Sequence, residues 1–483
     1  MTKKAILQRV MRYIRTPLGE PHCELLRKHF QYLHKSQERV PGRAVRIIST
    51  PVNLYFEMDS WLYFPCGLYE RAKHLLAQAG YNPEYSDLRK LSLPNPDVSK
   101  LKGLRPGQDK VIKAIVDADN GIVDALTGFG KGVVIEKIVE LYPKQNHLVI
   151  TKSKSVCNQL YKRLKARFSS AGVWNSDKHV KGNPLVATAG SLGHLELEKY
   201  DVVQLDEVHE LMTKSFLEHY PRLEKCKLIS YSASPDQRLD NTALAMEAYF
   251  GTKICKVDYS DGVDLGLVVP IEVWKVNWEC EPRDALRGYR VDVMKMRLGY
   301  WANSARNSAI AKVVYEEIPK RVAEKDPQIL ILVDKIEHAL QLKKLLPDFE
   351  VVYGEMDKDA AASFKKSGLL AEEPKTRKQV EKIREDFSAG TLKRAIATGI
   401  WSTGVDFPGL SVIIRADGGA SQIKDIQMPG RVCRLGQGKE KGILVDFGDF
   451  FDFWAARRAK SRFDSYKEKK WDIVEIMLET SDM

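Results

Sequence analysis

Residues 121–132 read Gly-Ile-Val-Asp-Ala-Leu-Thr-Gly-Phe-Gly-Lys-Gly, an apolar run followed by a glycine-rich stretch that ends in Lys131 and Gly132. Short apolar runs bounded by turn residues are typical of buried parallel strands, and residues 132–141 have the spacing of a helix. A strand, a glycine-rich loop and a helix in this order can wrap phosphate with backbone N–H groups, with Lys131 reaching the β and γ phosphates. The alternative interpretation is a glycine-rich turn that carries a surface lysine.

Gly132 departs from the usual pattern of such a loop. Ser or Thr normally follows the lysine, and its hydroxyl contacts Mg²⁺. This chain has glycine at that position. Either water replaces the hydroxyl or the metal site is weakened.

A pair of carboxylates follows a second apolar run, Val202-Val-Gln-Leu-Asp-Glu-Val-His209. Placed at the end of a buried strand, Asp206 can hold Mg²⁺ and Glu207 can act as a base on water, which completes a minimal set for phosphoryl transfer. The pair could instead be a helix N-terminal acid pair favoured by the helix dipole. His209 could couple this set to a second domain, or it could be an ordinary buried histidine.

The same alternation of apolar runs and helical patterns extends along the chain. Parallel strands need crossover helices, and residues 132–141 and 155–168 have the right spacing to supply them. We expect one α/β domain with strands at 121–126, 147–152, 201–207 and 227–234, and a second with strands at 328–334, 349–354, 392–400, 410–417 and 441–447. The predicted division is an N-terminal accessory domain at 1–100, α/β domains at 101–268 and 301–450, a connecting segment at 269–300 and a C-terminal helical extension at 451–483.

Charge and composition narrow the possible partners. The chain of 483 residues has a formal net charge of +12, which favours an acidic partner such as nucleic acid. Residues 1–100 hold 16 Lys and Arg against 9 Asp and Glu, a net charge of +7 in a small α+β unit with an apolar run at 45–56 and helical spacing at 67–79. The sequence has no apolar run long enough for a membrane helix and no signal-peptide pattern at its start. Its seven cysteines include no C-x-x-C pair, so we expect a soluble protein of a reducing cytoplasm.

The order of short motifs resembles that of superfamily 2 helicases of the DEAD/DEAH type, from Leu104 to Asp449. The strings that carry the resemblance are Leu104-Arg-Pro-Gly-Gln108, the glycine-rich loop, Asp206-Glu-Val-His209, Ser232-Ala-Ser234, Thr398-Gly-Ile-Trp-Ser-Thr-Gly-Val-Asp406 and Gln427-Met-Pro-Gly-Arg-Val-Cys-Arg434. The resemblance implies two tandem RecA-like domains with parallel sheets, preceded by the small α+β domain. It also implies an ATPase site shared by the two RecA-like domains.

The resemblance assigns a role to each motif residue. Arg431 and Arg434 would act as arginine fingers on the γ-phosphate, although each alone could be a surface or ion-pair arginine. The implied catalytic residues are Lys131, Asp206, Glu207, Gln427, Arg431 and Arg434, with Asp206 as the metal ligand. The implied ATP-binding residues are Arg105, Gln108, Thr127, Gly128, Phe129, Gly130, Lys131, Gly132, Gly404 and Asp406, and the implied coupling residues are His209, Ser232 and Ser234.

Nucleic-acid contacts are implied for three loops, where hydroxyls and backbone N–H groups would hold phosphates without reading sequence. The residues are Thr151, Lys152, Thr188, Ser191, Thr398, Trp401 and Ser402; the alternative for these segments is ordinary βα loops. Trp401 could stack on a base or pack inside its own loop. The segment 454–470, basic and aromatic, could be a strand-guiding helix or a helix docked through Trp454, Phe463 and Tyr466.

The layout as a whole resembles the phage UvsW-type DNA helicases, which act on branched DNA and carry a small N-terminal DNA-binding domain. The resemblance implies a monomeric, ATP- and Mg²⁺-dependent motor on branched or duplex DNA, working in recombination, repair or replication in the cytoplasm, that of the host if the chain is phage-encoded. Two alternatives stay open. An RNA helicase shares every ATPase motif, and a degenerate ATPase fold could serve as a noncatalytic nucleic-acid-binding scaffold.

Overall fold

The computed structural model describes residues 3–38, 46–89, 93–232, 243–278, 286–289, 291–401, 407–419, 429–436 and 439–479. The chain divides into two compact units, Met1–Asp258 and Tyr259–Met483. Among the described helices, none combines the length and the apolar character that crossing a bilayer requires.

The N-terminal part of the first unit is an α+β domain, as predicted. A five-stranded sheet has the order β5-β6-β2-β1-β7, and β3 and β4 form a separate two-stranded antiparallel ribbon. Burial alternates along β1, where Ala5 and Leu7 face α1 and α2 while Ile6 faces away, the two-residue period of a half-buried strand. The elements are β1 (Lys3–Val10), β2 (Tyr13–Pro17), α1 (His22–His29), β3 (Gln31–Glu38), β4 (Arg46–Asn53), β5 (Phe56–Met58), β6 (Trp61–Pro65), α2 (Tyr69–Gln78) and β7 (Tyr81–Asp87).

Buried arginines attach this domain to the rest of the first unit. Arg12 is fully buried, and its Nη1 donates to the Cys226 carbonyl oxygen at 2.9 Å. Its Nη2 lies 3.4 Å from Cys66 Sγ, and Arg9 Nη1 forms an ion pair with Asp119 at 2.9 Å. Burial acts to raise the pKa of the Cys66 thiol, but the charges of Arg12 and Arg9 outweigh it and hold that pKa below its ordinary value. The two guanidinium groups therefore favour the ionised form of this thiol.

The rest of the first unit is an α/β domain with an eight-stranded sheet of order β11-β10-β12-β9-β13-β14-β8-β15. All neighbouring strands are parallel except β10 and β11. The four strands and two crossover helices predicted for this domain are confirmed. Its elements are α3 (Gln108–Asp117), β8 (Asn120–Ala125), α4 (Lys131–Leu141), β9 (His147–Thr151), α5 (Lys154–Arg167), β10 (Gly172–Trp174), β11 (His179–Val180), β12 (Leu185–Thr188), β13 (Val202–Leu205), α6 (Lys214–Leu217), β14 (Lys227–Ser232), α7 (Ala243–Phe250) and β15 (Lys253–Val257).

The second unit is a parallel seven-stranded sheet of order β18-β19-β17-β20-β21-β16-β22 with helices packed on it. The five predicted strands are present. Besides π-helical turns at Arg297–Trp301 and Val313–Glu317, its elements are α8 (Tyr259–Asp264), β16 (Ile271–Trp278), α9 (Asp292–Met296), α10 (Ser304–Lys312), α11 (Ile318–Arg321), β17 (Gln328–Leu332), α12 (Ile336–Leu345), β18 (Glu350–Val352), α13 (Lys358–Lys366), α14 (Arg377–Ala389), β19 (Arg394–Ala397), β20 (Leu410–Arg415), β21 (Gly442–Phe447), α15 (Phe453–Glu468) and β22 (Asp472–Leu478).

Two strands of this sheet lie in segments to which the sequence prediction gave other roles. Strand β16 falls within the predicted connecting segment, yet it pairs with both β21 and β22. Strand β22 follows α15 inside the predicted helical extension and forms the edge of the sheet. Helix α15 has Phe463 and Tyr466 buried, which matches the docked-helix alternative for residues 454–470.

A buried ionic cluster joins α15 to the carboxyl end of β21. Arg462 is fully buried and donates to Asp446 at 2.8 and 2.9 Å and to Asp449 at 3.0 Å. Arg306 donates to the other oxygen of Asp449 at 2.8 Å. Burial acts to lower the pKa of Arg462, but the two carboxylates raise it well above its ordinary value. The guanidinium is therefore charged and fixes the helix to the sheet.

We expect Arg462→Ala to lower the free energy of unfolding of the second unit by about 3–5 kcal/mol, because removing one partner of a buried ion pair leaves the other charge uncompensated. Urea unfolding followed by tryptophan fluorescence measures the change. Lys460→Ala is the matched control on the same helix, since its pair with Asp464 is exposed and its loss should cost less than about 1 kcal/mol. Equal losses for the two variants would contradict the structural role of Arg462.

Candidate nucleotide-binding site

Three neighbouring parallel strands place the predicted site residues of the first unit at one edge of its sheet. Strand β14 pairs with β13 on one side and with β8 on the other. The glycine-rich loop follows β8, Asp206 follows β13, and Ser232 ends β14. Because the carboxyl ends of parallel strands meet at the same edge, residues far apart in sequence come together here.

The loop after β8 has the backbone conformation that a phosphate cradle requires. Gly128 and Gly130 have φ of +94° and +92°, in the left-handed region that favours glycine. A Cβ at position 130 would lie 2.8 Å from Gln108 Nε2. Phe129 is buried beneath the loop and Thr127 is partly exposed. Helix α4 begins at Lys131 directly after the loop, so the N–H groups of its first turn point toward the place where phosphate would bind.

Two hydrogen bonds of the Gln108 side chain connect this loop to the segment before α3. The side chain is fully buried, its Nε2 donates to the Phe129 carbonyl at 3.0 Å, and its Oε1 accepts from the Arg105 N–H at 2.9 Å. These two bonds use one of the two hydrogens on Nε2 and one of the two lone pairs on Oε1, so one of each remains for a further partner. The predicted contact of Gln108 with the adenine base stays a prediction, and the observed bonds give the residue a structural role beside it.

Lys131 and Glu207 are in direct contact. Lys131 Nζ lies 3.2 Å from Glu207 Oε1 and donates to the Ala125 carbonyl at 3.3 Å. Glu207 has φ 49° and ψ 56°, a left-handed conformation that costs a residue with a side chain on the order of 1–2 kcal/mol. That backbone turn follows β13 directly, and it places Glu207 within reach of Lys131 at the end of the glycine-rich loop.

His209 extends this contact to the neighbouring strand. Its Nδ1 lies 3.5 Å from Glu207 Oε2 and 3.0 Å from Ser232 Oγ. His209 and Ser232 are both buried. Lys131, Glu207, His209 and Ser232 therefore form a continuous polar chain across three strand ends, in which His209 contacts the predicted base and Ser232 contacts His209.

The surroundings of Asp206 disfavour the charged form of its carboxyl group. Burial, then the charge of Glu207, raise the pKa of Asp206 to about 7, although Lys131 acts in the opposite direction. Mg²⁺ prefers oxygen ligands and in nucleotide sites is held by one or two carboxylates together with phosphates and water. In the described part of the chain, no group of three or more His, Cys, Asp or Glu side chains is arranged to hold a metal. The donor chemistry of Asp206 fits the single protein ligand of such a site.

Position 132 has room for a side chain. A Cβ there would meet its nearest neighbour, the Arg163 guanidinium, at 3.5 Å, an ordinary van der Waals distance. Gly132 has no positive φ and is the second residue of α4. Neither the backbone nor the surrounding packing therefore explains the departure from Ser or Thr.

Two buried residues that the sequence analysis did not single out hold this region together. Gln204 Nε2 donates to the Ile135 carbonyl in α4 at 3.2 Å, and its Oε1 accepts from the Tyr231 hydroxyl at 2.6 Å. Both side chains are fully buried, and they link the loop's helix to β13 and β14. The signal in the sequence is a glutamine inside an otherwise apolar strand, because a buried polar group must find partners.

The predicted nucleic-acid residues of the first unit lie at the same edge of the sheet. Thr151 and Thr188 are paired across β9 and β12, so the structure brings these two loops together. The Thr151 hydroxyl is buried and donates to the Ser153 carbonyl at 3.1 Å, and the hydroxyls of Thr188 and Ser191 lie 2.9 Å apart. Lys152 is exposed. Their nucleic-acid contacts stay a prediction.

The second unit holds the remaining predicted residues. Arg431 is buried in the short turn Pro429–Arg431, and Arg434 forms a bridge with Val268 just before β16. Thr398 is buried directly after β19. Trp401 is only 2% exposed and packs against Phe387 and Phe407, so in this conformation no base can stack on it and the packing alternative fits the geometry. Five predicted residues lie outside the described part of the chain: Ser234, Ser402, Gly404, Asp406 and Gln427.

The raised pKa of Asp206 predicts a pH-dependent effect of Asp206→Asn. A folded-state pKa near 7 exceeds the ordinary value, so the folded chain binds more protons than the unfolded chain between about pH 4 and pH 7, and the contribution of Asp206 to stability falls as pH rises through that range. We expect Asp206→Asn to gain about 1–3 kcal/mol relative to the wild type between pH 5 and pH 8.

Differential scanning calorimetry of the nucleotide-free chain at both pH values measures this gain. Asp117→Asn, at an exposed position of the same unit, is the control and should change stability by no more than about 0.5 kcal/mol. A stability difference between Asp206→Asn and the wild type that is the same at both pH values would contradict the prediction.

Comparison with protein families gives two matches. The model of the DEAD/DEAH box helicase family matches residues 105–242, and the model of the helicase conserved C-terminal domain matches residues 309–436. The first match contains the loop, the carboxylates and Ser232, and the second contains Thr398, Arg431 and Arg434.

Comparison with individual proteins agrees with these families. The viral protein named "Putative helicase 22", from Sulfolobus islandicus filamentous virus (isolate Iceland/Hveragerdi), is 25% identical over 358 residues, which are 68% of this chain and 60% of that protein. This chain thus matches about 60% of the length of that relative.

Solved structures with a similar fold include a fragment described as a putative HsdR subunit of a type I restriction enzyme from Vibrio vulnificus YJ016, with 15% identity, a TM-score of 0.56 and coverage of 95% of this chain and 97% of that one. Dbp5 of S. cerevisiae bound to RNA and ADP BeF3 has 14% identity, a TM-score of 0.53 and coverage of 80% and 92%. UvsW of T4 covers 99% of both chains with 15% identity and a TM-score of 0.44.

The fold prediction of two RecA-like domains with a small α+β domain before them is confirmed. The two family models lie on the two α/β domains in the order that the motifs predicted. This chain belongs to the superfamily 2 helicases of the DEAD/DEAH type.

Proposed function

We propose that this chain is a DNA helicase or translocase that uses ATP to move on duplex or branched DNA, with unwinding, branch migration or annealing as its outcome. The observation that carries the proposal is the attachment of a basic N-terminal domain, with a net charge of +7 over residues 1–100, to the first RecA-like domain. A positively charged domain fixed to the motor supplies sequence-independent phosphate contacts beside the ATPase sheet.

The proposed reaction begins with a change of partner for Lys131. Lys131 Nζ contacts Glu207 Oε1 at 3.2 Å. A bound γ-phosphate would compete for the ammonium group, and Glu207 would then be released to orient the attacking water. Asp206 would hold Mg²⁺, which supplies charge neutralisation between the phosphates when it is bound. The ion pair with Lys131 thus keeps Glu207 from acting on water until substrate binds.

The proposed coupling follows the polar chain from Glu207 to β14. Release of Glu207 from Lys131 would alter its contact with His209, whose Nδ1 also lies 3.0 Å from Ser232 Oγ. Ser232 ends β14 and begins the Ser-Ala-Ser string that the resemblance links to strand movement. Arg431 and Arg434 of the second unit are proposed, from the motif alone, to stabilise charge that develops on the γ-phosphate.

ATPase assays with matched nucleic acids test the substrate. We expect forked or Holliday-type DNA to raise the rate of ATP hydrolysis above the rates with buffer and with RNA of equal length and structure, because the proposal places DNA on the basic domain and the motor together. Stimulation by RNA alone would identify an RNA helicase, and the DNA assignment would be wrong. Strand displacement, branch migration and annealing on the same substrates then identify the outcome.

Glu207→Gln is the control for these assays. It should reduce hydrolysis by about 10²–10⁴-fold, the usual contribution of a positioned base, while ATP binding measured by equilibrium dialysis is kept. A wild type already as inactive as this variant would favour a noncatalytic scaffold.

Gly132→Thr tests the departure in the phosphate loop. We expect ATP turnover similar to or higher than that of the wild type, because the position has space for a Cβ and threonine supplies the hydroxyl that such loops normally offer to Mg²⁺. Gly130→Ala is the matched control, since φ of +92° and the approach to Gln108 at 2.8 Å should make it lose activity. A large loss for Gly132→Thr would show that local backbone chemistry requires glycine there.

A further inference from the structure

The five-stranded sheet of the N-terminal domain has two different faces. One face packs on α1 and α2 through residues such as Leu7, Ile14 and Leu62. The residues between them in sequence point to the opposite face, because side chains alternate along a strand. At one end this second face meets the RecA-like domain, where the rings of Tyr13 and Tyr220 are 6.1 Å apart. Away from that contact, the described residues of this face include several exposed side chains.

Large apolar and aromatic side chains cover this part of the face. Phe56 is 42% exposed, Met58 51% and Ile6 43%. Cross-strand pairing places Phe56 beside Tyr63 and Met58 beside Trp61. The rings of Phe56 and Tyr63 are stacked, with centroids 5.0 Å apart and an angle of 2° between their planes. Contiguous exposed patches of this kind are uncommon on soluble domains and usually mark binding surfaces.

Arg15 lies in the middle of this patch. Its guanidinium sits 4.2 Å over the Trp61 ring and its Nε donates to Gln8 Oε1 at 3.0 Å. In the part of the chain that the structure describes, Arg15 is within ion-pair distance of no carboxylate. By contrast, the arginines at 9, 27, 71 and 89 of the same domain each form an ion pair with a carboxylate. Arg15 therefore keeps its charge available to an anion beside the aromatic rings.

We propose that this face, defined by Arg15, Phe56, Met58 and Trp61, is a stacking platform for single-stranded nucleic acid. The proposal deepens the proposed function, on which it rests, by adding single-stranded nucleic acid as a ligand of the N-terminal domain. Bases of a separated strand lie on Phe56 and on the exposed part of Trp61, and Arg15 contacts a phosphate of the same strand. Stacking is tolerant of sequence because every base has a π-face.

The chemistry favours a single strand over a duplex. Bases inside a duplex are already stacked on one another, so protein rings can reach them only where the strands are separated. A duplex would be held by a surface rich in unpaired cations, whereas this patch combines rings with a single unpaired arginine. A helicase that separates strands produces the ligand that such a face fits.

The test measures binding of the full chain, without ATP, to fluorescein-labelled oligothymidylate, to oligouridylate of equal length and to a blunt duplex. Phe56→Ala and Trp61→Ala should each weaken binding of at least one of the two single strands by at least about fivefold, since a stacked base contributes about 1–3 kcal/mol. Binding of the duplex should change by less than about twofold, because a ring that stacks on unpaired bases makes no comparable contact with paired ones.

Three further variants separate stacking from charge and from general damage. Arg15→Gln should weaken binding and reduce the slope of log K against log salt by about one, whereas Phe56→Ala should leave the slope unchanged. Phe56→Tyr, which keeps a ring, should restore binding. Phe453→Ala removes an aromatic side chain that is exposed in the second unit and should have no effect on binding.

Three outcomes would overturn the platform: unchanged affinity for both single strands, equal loss on duplex and single strands, or failure of Phe56→Tyr to restore binding in a chain with wild-type thermal stability. The ATPase test of the proposed function stands apart from these results. Loss confined to oligouridylate would keep the platform while contradicting the DNA assignment. ATPase stimulation by DNA, together with variants that bind both single strands as tightly as the wild type, would support the DNA assignment and contradict the platform. The variants should leave the nucleic-acid-free ATPase rate unchanged.

Discussion

The structure of the first unit depends on one constraint, the parallel pairing of β13, β14 and β8. Three strands that run the same way end at the same edge, so a loop after residue 125, a carboxylate pair after residue 205 and a serine at residue 232 become neighbours without any direct sequence relation. Buried parallel strands have little polar surface of their own, and their catalytic groups therefore gather at this edge. Gln204 and Tyr231 reinforce it from inside by tying the loop's helix to the two strands.

At that edge, most of the charged groups of the site contact one another. Lys131 neutralises Glu207, Glu207 contacts His209, and His209 contacts Ser232. Asp206 is less well compensated, and burial raises its pKa to about 7. A cation bound at Asp206 would stabilise its ionised form, whereas a polyanion that takes over Lys131 would leave Glu207 without its present partner.

The strands around the motifs could be predicted because each is a short apolar run with turn residues on both sides. Strands β16 and β22 could not, because their burial depends on long-range pairing: β22 lies about 200 residues after β16, its partner at the sheet edge. The glycine-rich loop and the carboxylates were recognisable from residue type and spacing alone. Contacts such as Gln108 to Phe129, or Trp401 within its aromatic cluster, depend on tertiary packing that no local pattern encodes. For Trp401, burial favours packing over a nucleic-acid role.

The N-terminal domain has two contact regions, and they differ in whether their arginine is buried with partners or left partly exposed. Toward the RecA-like domain, Arg12 is buried and donates to the Cys226 carbonyl and to Cys66 Sγ, so breaking this contact would leave a buried charge without its partners. On the opposite part of the sheet, Arg15 stays partly exposed over Trp61, and apolar side chains are left in water. Arg9, Arg27, Arg71 and Arg89 of this domain pair with carboxylates, whereas Arg15 contacts Gln8 and Trp61 and no described carboxylate. Because those arginines are paired within the fold and Arg15 is not, the charge of Arg15 can pair with a ligand on that face.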